Sequence, residues 1–382
     1  MDRSLDQLRR RLLIHCTPSQ AHTAAEIATA HDTGLVVTGA SADTIAHRLR
    51  EKGFDGPILC DADRYSGPRR VDGGRGIRPA WCRRQQELGL VPLTDSGYLE
   101  PDNWNALRSI LRVAALQRRP VIAMLPLAAR WFAESHAVDD LARELDSYGV
   151  AVAVAIEHAS DPFSVQYVVR HFLRLLRTAQ VPVLLLRSDV AALGALCHGA
   201  FAAATGTTSS LRHIYPLTSK GIPRAAFPAV FIRHLLSYHR LDTCETVFAR
   251  TPETSHFWLC DCVVCGGTTP DRLHDSDDQY SVALRHSLHA QLLLHDEIFR
   301  HTDTPDQRAS AWHEACSHAL FVHRQVAEHV PDWRTPAHLK SWHTVTDDPL
   351  RGRAGIPAQP TQRSVLFERP AEKWSAHERR GV

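Results

Sequence analysis

Short apolar runs alternate along this chain with segments of helical length. Eight runs, at 34–39, 57–60, 89–94, 121–125, 150–156, 181–186, 199–204 and 229–232, are continuously apolar instead of alternating with polar residues. A continuous apolar strand is one buried on both faces, as in a parallel sheet covered by helices. Between the runs, Ser41-Ala42-Asp43-Thr44 caps a helix through Lys52, and further helices are predicted near 104–117, 137–147 and 162–178. Eight strand–helix units in about 200 residues predict an α/β fold, a (β/α)8 TIM-like barrel.

The barrel is expected over 34–255, preceded by a helical lead-in at 1–33. After it the pattern changes. A zinc-binding subdomain is read at 256–300, a helical segment at 301–350 and a flexible tail at 351–382. Two amphipathic helices, 279–300 and 306–329, fall in this part.

Polar residues collect where the runs end. Asp61, Asp63, Asp95, Glu157, His158, Asp161, Arg187, Asp189, Thr205, Arg212 and His213 follow successive strands. Barrel active sites are built on those loops. Thr205-Gly206-Thr207-Thr208-Ser209-Ser210, with Arg212 close by, offers hydroxyls and a glycine suited to phosphate or, equally, to capping a helix. Arg64, Arg69, Arg70, Arg75, Arg78, Arg83 and Arg84 crowd one glycine-containing loop, which suits a polyphosphate or a nucleic-acid backbone.

Composition narrows the classes. With 382 residues, 44% hydrophobic and 23% charged, the chain is globular, and a formal charge of +2 creates no global field for nucleic acid. No segment has the length of a membrane span, and the N-terminus lacks a signal-peptide pattern. Nine cysteines without a regular framework predict a reducing, cytoplasmic setting.

Three of those cysteines, Cys260, Cys262 and Cys265, form a C-x-C-x2-C knuckle. Three thiols on one turn plus a histidine from a later helix make a closed tetrahedral zinc site. His289 is the expected fourth ligand, with His286 and His295 as alternatives.

A barrel followed by this knuckle resembles the tRNA-guanine transglycosylase superfamily, including relatives that insert 7-deazaguanine bases into DNA. Leu93-Thr94-Asp95-Ser96-Gly97-Tyr98 and Ser287-Leu288-His289-Ala290-Gln291-Leu292 look like segments of that family. The resemblance implies structural zinc and base exchange on tRNA, DNA or a nucleoside, with Asp61, Asp95 and Asp189 as catalytic carboxylates. It also implies substrate binding by Asp63, Arg64, Glu157, His158, Asp161, Arg187, Thr205, Gly206, Arg212 and His213. A homodimer is compatible with it. Where the family carries its nucleophilic aspartate this chain has Phe231-Ile232-Arg233-His234, without a carboxylate. Two other readings stand beside it. One is an inactive nucleic-acid-binding descendant, the other a barrel hydrolase or lyase acting on a small phosphorylated molecule.

Overall fold

The structure is a computed structural model that describes residues 3–117, 119–217 and 227–347. The segment 351–382 read above as a tail lies outside them. Seven parallel strands form one curled sheet of the TIM-barrel type: β1 (Leu12–Cys16), β2 (Leu35–Thr38), β3 (Ile58–Asp61), β4 (Ala123–Ala128), β5 (Val152–Glu157), β6 (Val183–Ser188) and β7 (Ala202–Gly206), in the order β3-β2-β1-β7-β6-β5-β4. Nearly every strand residue is buried, as expected for strands covered on both faces. The helices are α1 (Arg3–Asp6), α2 (Ala21–Ala30), α3 (Ala42–Glu51), α4 (Pro79–Glu87), α5 (Trp104–Ala115), α6 (Ser135–Tyr148), α7 (Gln166–Thr178), α8 (Ala191–Cys197), α9 (Leu241–Arg250), α10 (Gln279–Arg300), α11 (Pro305–His329) and α12 (Ala337–Thr346).

Two strand expectations are corrected. The lead-in at 1–33 contains β1, which sits at the middle of the sheet between β2 and β7. Its apolar run is cut short by His15, a polar residue buried within the strand, so the pattern hides it. The 229–232 run is not a barrel strand. As β8 (Ala229–Ile232) it pairs antiparallel with β9 (Ser237–Arg240) and docks on α10, where the Ser287 hydroxyl accepts from the Phe231 amide at 3.0 Å.

The 89–94 run takes an intermediate form. Pro92 has no N–H to donate, and the segment joins the sheet only through a parallel bridge between Leu93 and Ile122. Its free side is satisfied by a side chain. The buried Gln85 amide accepts from Leu93 N at 3.0 Å and donates to Leu93 O at 3.1 Å, as a neighbouring strand would. Trp81 Nε1 adds a second donor to the same carbonyl at 2.9 Å.

The C-terminal helices close the other side. A capping box of Thr304 and Gln307 starts α11. Trp312 of α11 meets Trp342 of α12 edge to face at 5.6 Å, over Gly194 of α8. A Cβ at Gly194 would stand 2.8 Å from the Trp312 ring, so glycine is what lets these helices approach.

Candidate active site and metal knuckle

Parallel strands deliver all their carboxyl ends to one face, and the polar residues gather there. The buried Asp61 at the end of β3 accepts from Tyr65 Oη at 2.6 Å and Thr38 Oγ1 at 3.2 Å, with His15 Nε2 at 3.2 Å. His15 Nε2 is also 2.7 Å from Thr38 Oγ1, whose proton goes to Asp61. Both partners of Nε2 therefore act as acceptors, which puts the imidazole proton on Nε2. Burial alone would raise the Asp61 pKa. The His15 hydrogen bond and the Arg187 charge outweigh it and hold the carboxyl well below its usual range. Burial lowers the His15 pKa, so the ring is neutral.

Arg187, at the end of β6, is buried and adopts φ 49°, a left-handed backbone that a non-glycine residue seldom occupies. Its side chain reaches Asp63 at 2.5 Å and Asp61 at 3.6 Å, and lies 4.7 Å from the Tyr65 ring centre. Asp63 is left-handed too, at φ 52°, with burial raising its pKa. Asp61, Asp63 and Arg187, expected at three strand ends, thus form one charged floor. His15, Thr38 and Tyr65 complete it without having been singled out in the sequence.

The arginine loop is folded inward. Arg64 pairs with the buried Asp95 at 2.8 Å, Arg78 also pairs with Asp95, Arg84 with Asp43, and Arg70 with Glu157 at 2.5 Å. Arg70 further lies 3.8 Å over the Tyr98 ring, and Tyr98 donates to Glu157. The picture of a loop extended toward a polyanion is corrected for these four side chains, whose charge is spent on internal carboxylates. Asp95 sits beneath Arg64 and Arg78.

A second cluster occupies the ends of β5 and β6 and the turn after β7. Asp161 Oδ1 accepts from Phe163 N at 2.9 Å. Asp161 Oδ2 is buried without a hydrogen bond, with His338 Nδ1 3.4 Å away. Burial, and then the charge of Asp189, push the Asp161 pKa up to about 7. His213 goes the other way. Burial lowers it to about 4, and its Nε2 has no hydrogen-bond partner. Arg187 Nε and Ser188 Oγ are likewise buried and unpartnered. Four such atoms around neighbouring strand ends are unusual, because buried polar groups are nearly always hydrogen-bonded. Asp189 itself caps α8, accepting from Ala191 N at 3.2 Å. His158 is tied to Ser160.

Arg212, the residue before His213 on the turn after β7, lines a cleft of about 510 Å³ together with Thr207, Thr208, Ser209 and Tyr238, with Asp278 at one wall. Arg212 is laid flat on Tyr238, its Cζ 3.4 Å from the ring centre, and donates Nε–H to Gly206 O. Its terminal nitrogens bond no described residue. Tyr238 is fixed by Gln291, whose amide donates to it at 2.8 Å and accepts from Thr205 Oγ1 at 2.8 Å. Gly206 lies where a Cβ would strike Leu211 O at 2.3 Å.

The knuckle forms a separate centre. Cys265 N and Gly266 N donate to Cys262 O, and Gly266 and Gly267 take the left-handed turn this requires, at φ 56° and 85°. The Sγ atoms of Cys260, Cys262 and Cys265 and a nitrogen of His286 lie within 4.8 Å of one another, all buried, a group that could hold a metal. His286 Nδ1 is 3.4 Å from Cys262 Sγ and 3.1 Å from Cys265 Sγ, while Nε2–H donates to Phe231 O at 2.8 Å. That outer hydrogen bond orients the ring for ligation. His289 is therefore corrected as the fourth ligand: its Nδ1 faces His31 Nε2 at 2.9 Å. His295 bonds Arg10 O.

Scans against protein-family models and curated proteins return no match. Among solved structures, a dipeptide epimerase from Methylococcus capsulatus, complexed with a magnesium ion, is similar over 59% of this chain and 62% of its own, at 14% identity and TM-score 0.29. The match thus spans less than two thirds of that epimerase. Neither the family models nor the curated proteins support the transglycosylase resemblance, which is corrected together with base exchange and 7-deazaguanine. What carried that resemblance was a metal knuckle and an Asp95 segment, and neither performs chemistry by its spacing alone. At this similarity the epimerase lends the chain neither its reaction nor its ion. No helix of the described residues is long and apolar enough to cross a membrane.

Proposed function

We propose that the chain is a barrel enzyme, a hydrolase or lyase, acting on a small phosphorylated molecule bound at the carboxyl ends of the strands. The observation that carries this is the set of four buried polar atoms without partners, on Asp161, Arg187, Ser188 and His213, the last of which follows Arg212 of the hydroxyl-lined cleft in sequence. A ligand with its own donors and acceptors supplies the missing hydrogen bonds.

In this reading Arg212 and the hydroxyls of Thr207, Thr208 and Ser209 hold the phosphate. Asp161, with its pKa near 7, gives a proton to the leaving group, and neutral His213 accepts one. Asp189 raises Asp161 and favours the charged form of His213. Asp61, with Arg187, Asp63 and His15, forms the fixed charged floor, and Asp61 is the ionised carboxylate available for electrostatic stabilisation. Asp95, buried under two arginines, has no such role.

The knuckle is read as a zinc site held by Cys260, Cys262, Cys265 and His286. Soft sulfur ligands select zinc, and four protein ligands would leave no open position for substrate, so its role is structural. Metal-avid buried thiols also favour a reducing cytoplasm.

The test is turnover of a panel of small phosphorylated compounds, followed by phosphate release and by formation of unsaturated product. Activity on one class, lost in Asp161→Asn and weakened in substrate affinity by Arg212→Ala, supports the reading. A folded, metal-loaded protein that turns over none of them contradicts it.

A further inference from the structure

A second cleft, of about 420 Å³, lies between α7 and the last turn of α12. Its charge is one-sided. Arg170, Arg174 and Arg177 line it together with His171 and His198, and among the described lining residues the one carboxylate is that of Asp347. At spacings of four and three the arginines share one face of α7, spread over about 10 Å at 1.5 Å per residue. Arg174 is pre-oriented by a two-point bond to Asp139, at 2.6 and 2.7 Å. Among the described residues no carboxylate pairs with Arg170 or Arg177. His171 Nδ1–H donates to Phe132 O at 2.6 Å and His198 Nδ1–H to Gly194 O at 2.8 Å, which fixes both rings.

Like charges on one helix face repel, and among the described residues Asp139 offsets only Arg174, leaving Arg170 and Arg177 without a paired carboxylate. Planar guanidinium groups on a shared face bind phosphate oxygens in pairs. We infer that this cleft is a binding site for a small molecule carrying two or more adjacent phosphate groups. The cavity is of ligand size, and the run of arginines matches a short phosphate chain better than one isolated anion.

Such a ligand would also bridge α7 to α12. The same helix sets Ser341 Oγ on Ser164 O at 2.8 Å, stacks Trp342 on Phe163 at 5.8 Å and brings His338 to Asp161. A bridging oligophosphate therefore holds α12 against the turn that carries Asp161. Only this coupling rests on the reading of Asp161 as part of the active site; the binding site itself does not.

Inorganic tripolyphosphate, titrated calorimetrically at constant ionic strength into the full chain, tests the site. Saturable binding is expected in wild type and in Arg212→Ala, at least tenfold weaker in the Arg170→Ala/Arg177→Ala double variant, with slowed amide exchange over 337–346 on binding. Both substituted arginines are exposed, so circular dichroism should confirm an intact fold. Absence of saturable binding to wild type, or undiminished binding to the folded double variant, overturns the inference. Loss of binding in Arg212→Ala alone would assign the ligand to the strand-end cleft and overturn it equally.

Discussion

Replacing Gln85 by leucine tests how the open edge of the sheet is closed. The two side chains are close in size, so no large cavity opens. What is lost is the amide that imitates a neighbouring strand at Leu93. Leu93 O keeps the Trp81 indole as a donor, but among the described residues Leu93 N has no other partner. Leaving that buried N–H unsatisfied costs about 1–3 kcal/mol, and the lost bond to the carbonyl adds about 0.5–1.5 kcal/mol. Greater apolarity of leucine offsets part of this, leaving a net destabilisation of about 2–3 kcal/mol. Urea unfolding followed by tryptophan fluorescence measures it, with Gln86→Leu on the same helix as the control, expected within about 0.5 kcal/mol of wild type. If Gln85→Leu behaves like the control, the side chain is not completing the sheet.

Three further outcomes are expected. His286→Ala should lose the bound metal and much of the stability of the region after residue 256, whereas His289→Ala should retain the metal, as read by metal content and thermal melting. Asp161 keeps its proton in the native state up to about pH 7, while an unfolded aspartate releases it near the ordinary 3.8. The native state then binds more protons between those values, so stability falls as pH rises through that window. Asp161→Asn should flatten that slope in urea midpoints measured from pH 4 to 8, and an unchanged slope would refute the assignment. Gly194→Ala should cost about 1–3 kcal/mol in thermal or urea unfolding, because its Cβ would press on the Trp312 and Trp342 rings at 2.8 and 2.9 Å.

The fold class was legible because doubly buried parallel strands are continuously apolar, a pattern seen at β2 to β7. It failed at β1, where the buried polar His15 interrupts the run, and at β8, where a buried hairpin looks the same as a barrel strand. The knuckle cysteines were legible from spacing. The choice among the three candidate histidines was not: His286 and His289 are one helical turn apart, and only the packing of α10 on β8 decides which ring meets the sulfurs. Asp61, Asp63 and Arg187 were visible as strand-end residues, but their union in one cluster comes from barrel curvature. His338 could not have been found, since it arrives from a helix some 180 residues after Asp161 in sequence. Charge density in the arginine loop pointed outward to a polyanion, yet a basic run says nothing of acids brought near it by folding.

Phosphate binding at the strand-end cleft is the most direct test of the account. Calorimetry of inorganic phosphate should be done in the Arg170→Ala/Arg177→Ala background, so that the outer cleft does not contribute. Saturable binding that weakens at least tenfold on adding Arg212→Ala is the predicted result. No saturable binding, or binding indifferent to Arg212, would contradict the reading of the strand-end cleft as a site for a phosphorylated substrate.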